Sequence, residues 1–166
     1  MYLAEQFYKR ILKKEPPYYA QYSFVTIIWK PIRKYINVVI IPNIPFSNLR
    51  VLLYKMIGFQ IGKNVFIGMK CYMDDVAIEN TIIGDNVTIS YGCYFACHGK
   101  NQSHTTILIK NGAYIGMRSN LIAGKKGIII GENSIVGAGS LVNRDIPDET
   151  TMVGVPINTL DNIGNT

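Results

Sequence analysis

The chain has 166 residues, 48% apolar and 17% charged, which suits one domain with its own core and excludes a disordered chain. Three sparse cysteines, Cys71, Cys93 and Cys97, make no disulfide framework, and no apolar run approaches the ~20 residues of a membrane-spanning helix. The net charge of +6 is uneven: residues 1–60 hold nine Lys/Arg against Glu5 and Glu15, and residues 61–166 hold eight bases and nine acids. No basic, apolar and small-residue leader opens the sequence, so a cytoplasmic address with reduced thiols is expected.

In the basic front part, residues 3–14 place Leu3, Phe7 and Ile11 at helical spacing, which predicts a short amphipathic helix ended by Pro16-Pro17. Residues 19–35 mix Tyr22, Phe24, Ile27, Ile28 and Trp29 with Lys30, Arg33 and Lys34, and Pro31 is expected to kink or divide them. Pro42 and Pro45 predict an extended linker over residues 40–45. Ser47 is then a candidate cap for a helix over residues 48–57 bearing Leu49, Leu52, Leu53 and Met56. Residues 1–60 are open to two readings: a helical cap on the rest of the chain, or an interfacial element on an anionic membrane surface, which the interleaved aromatics and bases suggest. Nucleic acid is not an expected partner, because no recognition motif or base-stacking module appears.

From Ile61 onward an aliphatic or other apolar residue recurs every six positions. Ile61-Gly62, Ile67-Gly68 and Met73 make one series, and Ile83-Gly84, Ile89 and Phe95 a second. Ile109, Ile115-Gly116 and Leu121 come next, then Ile130-Gly131, Val136-Gly137 and Val142. Asn or Gly often stands three residues after the aliphatic: Asn64, Asn86, Gly112, Asn133, Gly139. A period of six matches neither a helix nor plain alternation. It fits short strands joined by corners, with each aliphatic pointing into a shared interior that only stacked rungs can bury. The phase breaks after Met73, Phe95 and Leu121, and such insertions map to loops that leave the stack. The second break holds His98 and His104, the chain's two histidines.

Residues 130–156, IGENSIVGAGSLVNRDIPDETTMVGVP, together with the hexads and the histidine loop, resemble the hexapeptide-repeat acyltransferases, which include galactoside, maltose, serine and polysaccharide O-acetyltransferases. The resemblance covers residues 61 to about 160 and implies a mainly β fold: a left-handed parallel β-helix of hexapeptide repeats with a short helical N-terminal segment. The corresponding division is a basic segment over 1–60, a β-helix domain over 61–160 and a tail over 161–166. It further implies a homotrimer with sites between subunits, acetyl-CoA as co-substrate and no metal.

A hydroxyl must lose its proton to attack a thioester, and histidine, with an ordinary pKa of about 6.5, is a natural base. His98, at the exit of a rung, falls where the family's catalytic histidine lies. By the same resemblance the Met117 backbone amide is the oxyanion donor. Met117, Gly137, Ala138, Asn143 and Arg144 fall where the family holds acetyl-CoA, with Arg144 near phosphate. Tyr114 falls beside the acceptor, or only packs on its rung. Asp74 and Asp75 stand near a position where relatives carry an acceptor-binding Asn, replaced here by Gly68; they are candidates to bind hydroxyls or to orient the base. His104 is an acceptor-contact candidate in the loop. Lys125 and Lys126 are further candidates near a CoA phosphate, and the tail has Ile157 and Asn158 where relatives carry a basic contact. The cysteines are expected to pack, since Cys97 and His98 as strand neighbours point to opposite faces. The expected reaction is O-acetylation of a saccharide in surface polysaccharide synthesis. Rival readings are N-acetylation of a nucleotide-linked amino sugar, serine O-acetylation and a non-catalytic scaffold.

Overall fold

The computed structural model describes residues 9–11, 13, 24–99 and 103–159, and the chain divides into two compact units, residues 1–36 and 37–166. In the first unit, Phe24–Tyr35 form helix α1. Pro31 removes one N–H···O bond but does not divide the helix, which continues to Tyr35. Of the helix expected over residues 3–14, Lys9 and Arg10 are helical, and most of the remainder lies outside the described residues.

The second unit opens on helical turns where an extended linker was expected. A π turn over Ile36–Ile40 leads into a 3-10 turn over Ile41–Asn43. Pro42 occupies the first turn of that helix, where its missing N–H leaves no bond unmade. Ile44, constrained by Pro45, is extended. Helix α2 spans Ser47–Ile57, and its N-cap is Phe46 rather than Ser47. Ser47 is already helical, and its buried Oγ has no partner among the described residues.

Helix α2 packs on the first rung with an unusual face inward. Arg50 is 2% exposed and spends its guanidinium on backbone carbonyls, with Nε donating to Ile67 O at 3.0 Å and the two Nη groups to Ile67 O and Ile44 O. Tyr54 is buried beside it, edge-on to Phe59 with ring centroids 5.4 Å apart. Asn37 Nδ2 donates to Met73 O at 2.8 Å, tying the cap to the third side of the rung.

Among the described residues, thirteen short strands come after α2, in three faces. Face A stacks β1 (Gln60–Ile61), β3 (Thr81–Ile83), β6 (Ile107–Ile109) and β9 (Ile128–Ile130). Face B stacks β2 (Phe66–Ile67), β4 (Thr88–Ile89), β7 (Tyr114–Ile115), β10 (Ile135–Val136) and β12 (Thr151–Val153), with β13 (Asn158–Thr159) antiparallel on its edge. Face C stacks β5 (Tyr94–Ala96), β8 (Asn120–Ile122) and β11 (Leu141–Val142), and the Tyr72↔Tyr94 bridge extends it to the first rung. Every other pairing is parallel, so the chain climbs as a solenoid of about four turns.

The hexad residues form the interior columns. Ile67, Ile89, Ile115, Val136 and Met152 fill one, and Met73, Phe95, Leu121 and Val142 another, all buried. Each such side chain removed from water contributes about 1.5–3 kcal/mol. A further inward column carries polar tips: Cys93 Sγ donates to Gly116 O at 3.2 Å, and Ser119 Oγ to Gly137 O at 3.0 Å. Cys71, Cys93 and Cys97 are buried free thiols, in keeping with a packing role. The corners between faces A and B turn at Asn64, Asn86, Gly112 and Asn133, all at φ between 52° and 71°. The glycine after the aliphatic answers a different demand. A Cβ on Gly116 would lie 2.5 Å from Ala138 N of the next rung, so this position admits no side chain.

Candidate active site

His98 stands where face C ends and the chain leaves the stack. Cys97, its neighbour, is fully buried with Sγ 3.3 Å from Thr81 Oγ1, whereas His98 points outward and is exposed. The chain then doubles back, with Gly99 N donating to Ser103 O at 2.9 Å and Thr105 N to Cys97 O at 2.8 Å. These bonds flank the His98↔His104 bridge, which is therefore a non-hydrogen-bonded antiparallel pair. Side chains of such a pair share one face, so the two imidazoles are neighbours.

Asp74 lies one rung below. The parallel Tyr72↔Tyr94 register sets residue 74 opposite residue 96, two positions before His98. Its carboxylate, 0% exposed, sits 2.6 Å from His98 Nδ1 through Oδ2, which also accepts from Cys97 N at 2.6 Å. Oδ1 accepts from Val76 N at 2.9 Å. An ionised carboxylate can only accept, so in the neutral imidazole this contact assigns the hydrogen to Nδ1 and the lone pair to Nε2. Asp74 thus lies buried against the imidazole, with backbone N–H groups around its carboxylate.

Asp75 faces differently. Tyr72 OH donates to Asp75 Oδ1 at 2.6 Å, and Tyr72 stacks on Tyr94 with centroids 4.5 Å apart and planes 12° apart. Burial, with the neighbouring Asp75 carboxylate, pushes the Tyr72 phenol above its ordinary pKa and keeps it a donor. Tyr72 did not emerge from the sequence as a site residue. The spacing of 22 between Tyr72 and Tyr94, one rung, is the signal that links it to this edge.

Asn143 and Arg144 come after β11 and are exposed at the same edge as His98, two rungs further along. Lys125 and Lys126 lie in the exposed turn after β8. Lys126 and Asp145 line a shallow cleft of about 230 Å³ with Thr106, Leu108 and Ile129. Ile157 is buried, with its N–H donating to Leu141 O at 3.0 Å, and closes the last rung.

Met117, Gly137 and Ala138 belong to another edge, the corner between faces B and C. Met117 is exposed, and its carbonyl accepts from Gly139 N at 2.8 Å. The N–H groups of Met117 and Ala138 donate to no group among the described residues. A Cβ on Gly137 would meet Val153 Cγ1 at 2.3 Å, so packing alone calls for glycine there. Tyr114 projects from the outer side of face B, where Ser90 Oγ donates to its hydroxyl at 3.1 Å. Face C separates this corner from the His98 edge by roughly 20 Å, six or seven extended residues. One protomer thus brings Asp74, His98 and His104 together, and Met117 with Ala138, but not the two groups with each other.

The family model described as the hexapeptide repeat of succinyl-transferase matches residues 59–95 and 107–144. Galactoside O-acetyltransferase of Escherichia coli is 31% identical over 119 residues, covering 64% of this chain and 58% of the relative. Serine acetyltransferase of Bacillus subtilis is 34% identical over 103 residues, covering 60% and 46%. The chain thus spans about half the length of these curated relatives. A hexapeptide-repeat acetyltransferase of Vibrio cholerae, solved with acetyl-coenzyme A, superposes with a TM-score of 0.66 at 23% identity, covering 83% of this chain and 89% of that one. That likeness fixes the architecture as a left-handed parallel β-helix. The repeat phase, the rungs it builds and these relatives agree: over residues 59–95 and 107–144 the chain carries the hexapeptide repeat of the acyltransferase family.

Proposed function

We propose that this chain transfers acetyl from acetyl-CoA to a saccharide hydroxyl, with His98 as general base. The observation that carries the reading is the buried Asp74 carboxylate 2.6 Å from His98 Nδ1, which leaves Nε2 as an outward-facing base. Nε2 takes the hydroxyl proton as the acceptor oxygen bonds to the thioester carbonyl carbon. Collapse of the tetrahedral adduct breaks the carbon–sulfur bond, and the CoA thiolate takes the proton from the imidazolium. Asp74 holds the tautomer and stabilises the transient positive charge.

The Met117 N–H stabilises the developing oxyanion, and the unspent Ala138 N–H, with Gly137, lines the pantetheine arm. Asn143 and Arg144 take the CoA phosphates, for which a guanidinium is well shaped. Asp75, Tyr114 and His104 contact the acceptor. Base and amide donors stand at different edges of one protomer, so a neighbouring copy completes the cleft, and the working unit is a homotrimer. The likeness to galactoside O-acetyltransferase favours a saccharide, and we place the reaction in surface polysaccharide synthesis. The likeness to serine acetyltransferase favours a second reading, an amino-acid hydroxyl as acceptor.

Thiol release from acetyl-CoA, measured against free sugars, oligosaccharides, nucleotide-linked amino sugars and serine, separates these readings. Saccharide-dependent release with an O-acetylated product is expected. Preference for serine or an amine would overturn the saccharide assignment, and no acceptor-dependent release would overturn the reaction itself.

A further inference from the structure

We infer that the N-terminal part of the chain docks on an anionic lipid bilayer through apolar stripes on α1 and α2. The inference is independent of the acyl-transfer reading. Its first support is that α2 is turned inside out. The helix hides Arg50 and Tyr54 against the solenoid and presents Leu49, Leu52 and Met56 outward, the last two 54% and 72% exposed. Phe46, just before the helix, is 70% exposed. A cap that only had to close a β-helix would bury its leucines and expose its arginine. Here the polar side chain is accommodated inside by carbonyl acceptors, and the apolar side faces outward.

Helix α1 shows the same combination by itself. Val25, Ile28, Trp29 and Ile32 recur at i, i+3, i+4 and i+7 and are exposed, while its charged residues Lys30, Arg33 and Lys34 are all basic.

Charge selects the occupant. Between Glu15 and Asp74 the sequence has no Asp or Glu; Arg50 is buried, and the other bases, Lys30, Arg33, Lys34, Lys55, Lys63 and Lys70, are exposed or half-buried. A second copy of either helix would set like charges against each other. A bilayer of anionic lipid offers hydrocarbon for the stripes and negative headgroups for the bases. Among the described residues no helix is long and apolar enough to cross a membrane, and an apolar stripe flanked by bases suits a contact in the interface plane.

The chain has one tryptophan, Trp29, and so carries its own reporter. On addition of phosphatidylglycerol-containing vesicles the Trp29 emission is expected to shift blue. The protein should co-sediment with those vesicles, less so in high salt, and not with pure phosphatidylcholine. The Leu52→Glu/Met56→Glu variant, altered only at exposed positions, should bind at least tenfold more weakly at an unchanged melting temperature. Trp29→Ser/Ile32→Ser should lower binding as well. Failure of the wild type to bind, or both variants binding as the wild type does, would overturn the inference. So would a smaller assembly mass by light scattering for Leu52→Glu/Met56→Glu, which would make this face a contact between copies.

Discussion

Replacing Asp74 by Asn removes one charge and changes almost no volume, which makes it the sharpest perturbation of the proposed site. The Asp74 carboxylate meets three groups: His98 Nδ1, Cys97 N–H and Val76 N–H. An amide has one oxygen, so either orientation sets its NH2 against a backbone N–H. Turned toward Oδ2, the NH2 opposes Cys97 N–H and donates to Nδ1, which moves the imidazole hydrogen to Nε2 and removes the base. Turned toward Oδ1, it opposes Val76 N–H and leaves His98 a neutral partner where it had a charged one. A buried unmet donor costs about 1–3 kcal/mol. For a chain of this length, about 2 kcal/mol lowers the melting temperature by roughly 4–8 °C. A positioned general base is worth about 10²–10⁴ in rate. The kcat of Asp74→Asn should therefore fall about 10²-fold or more while the KM for acetyl-CoA stays within about twofold, measured by thiol release well below the lowered melting temperature. Combining it with His98→Ala should add little, since both act through one imidazole. A kcat within twofold of wild type would remove Asp74 from the proposed mechanism.

Arg144→Ala should raise the KM for acetyl-CoA about tenfold with kcat nearly unchanged, the loss of one charge-assisted phosphate contact; an unchanged KM removes that role. Gly116→Ala places a Cβ 2.5 Å from the next rung's backbone and should cost about 1–3 kcal/mol or more, whereas Gly124→Ala, with nothing within 4 Å of its Cβ, should cost only the left-handed backbone penalty of about 1 kcal/mol. Thermal melts rank the two variants, and equal melting points would contradict the close approach. The native protein should resist thiol labelling, because Cys71, Cys93 and Cys97 are buried and burial pushes the Cys97 thiol above its ordinary pKa. Full labelling without denaturant would contradict that placement.

The columns and corners were legible in the sequence because a solenoid repeats one environment. Each hexad aliphatic meets the same interior, and each of Asn64, Asn86, Gly112 and Asn133 meets the same turn, so residue type recurs with position. Asp74 was ambiguous because its partner lies 24 residues away. Contact across rungs depends on the rung length, and the insertion after Met73 obscures it until the Tyr72↔Tyr94 register is known. The orientation of α2 was illegible for another reason. Periodicity identifies an apolar stripe but not the side facing the rungs, and Arg50 turns inward to acceptors that are backbone carbonyls, which no side-chain pattern encodes. The same limit hid the 40–45 turn, where two prolines suit a helix's first turn as readily as an extended linker.

In the proposed reaction one outward-facing imidazole nitrogen removes the acceptor's proton. His98→Ala, assayed side by side for turnover by thiol release and for acetyl-CoA affinity by calorimetry, tests that step with the fewest intermediates. A loss of about 10²–10⁴ in turnover is expected, with affinity and melting temperature retained. Turnover equal to wild type would show that the proton leaves by another route.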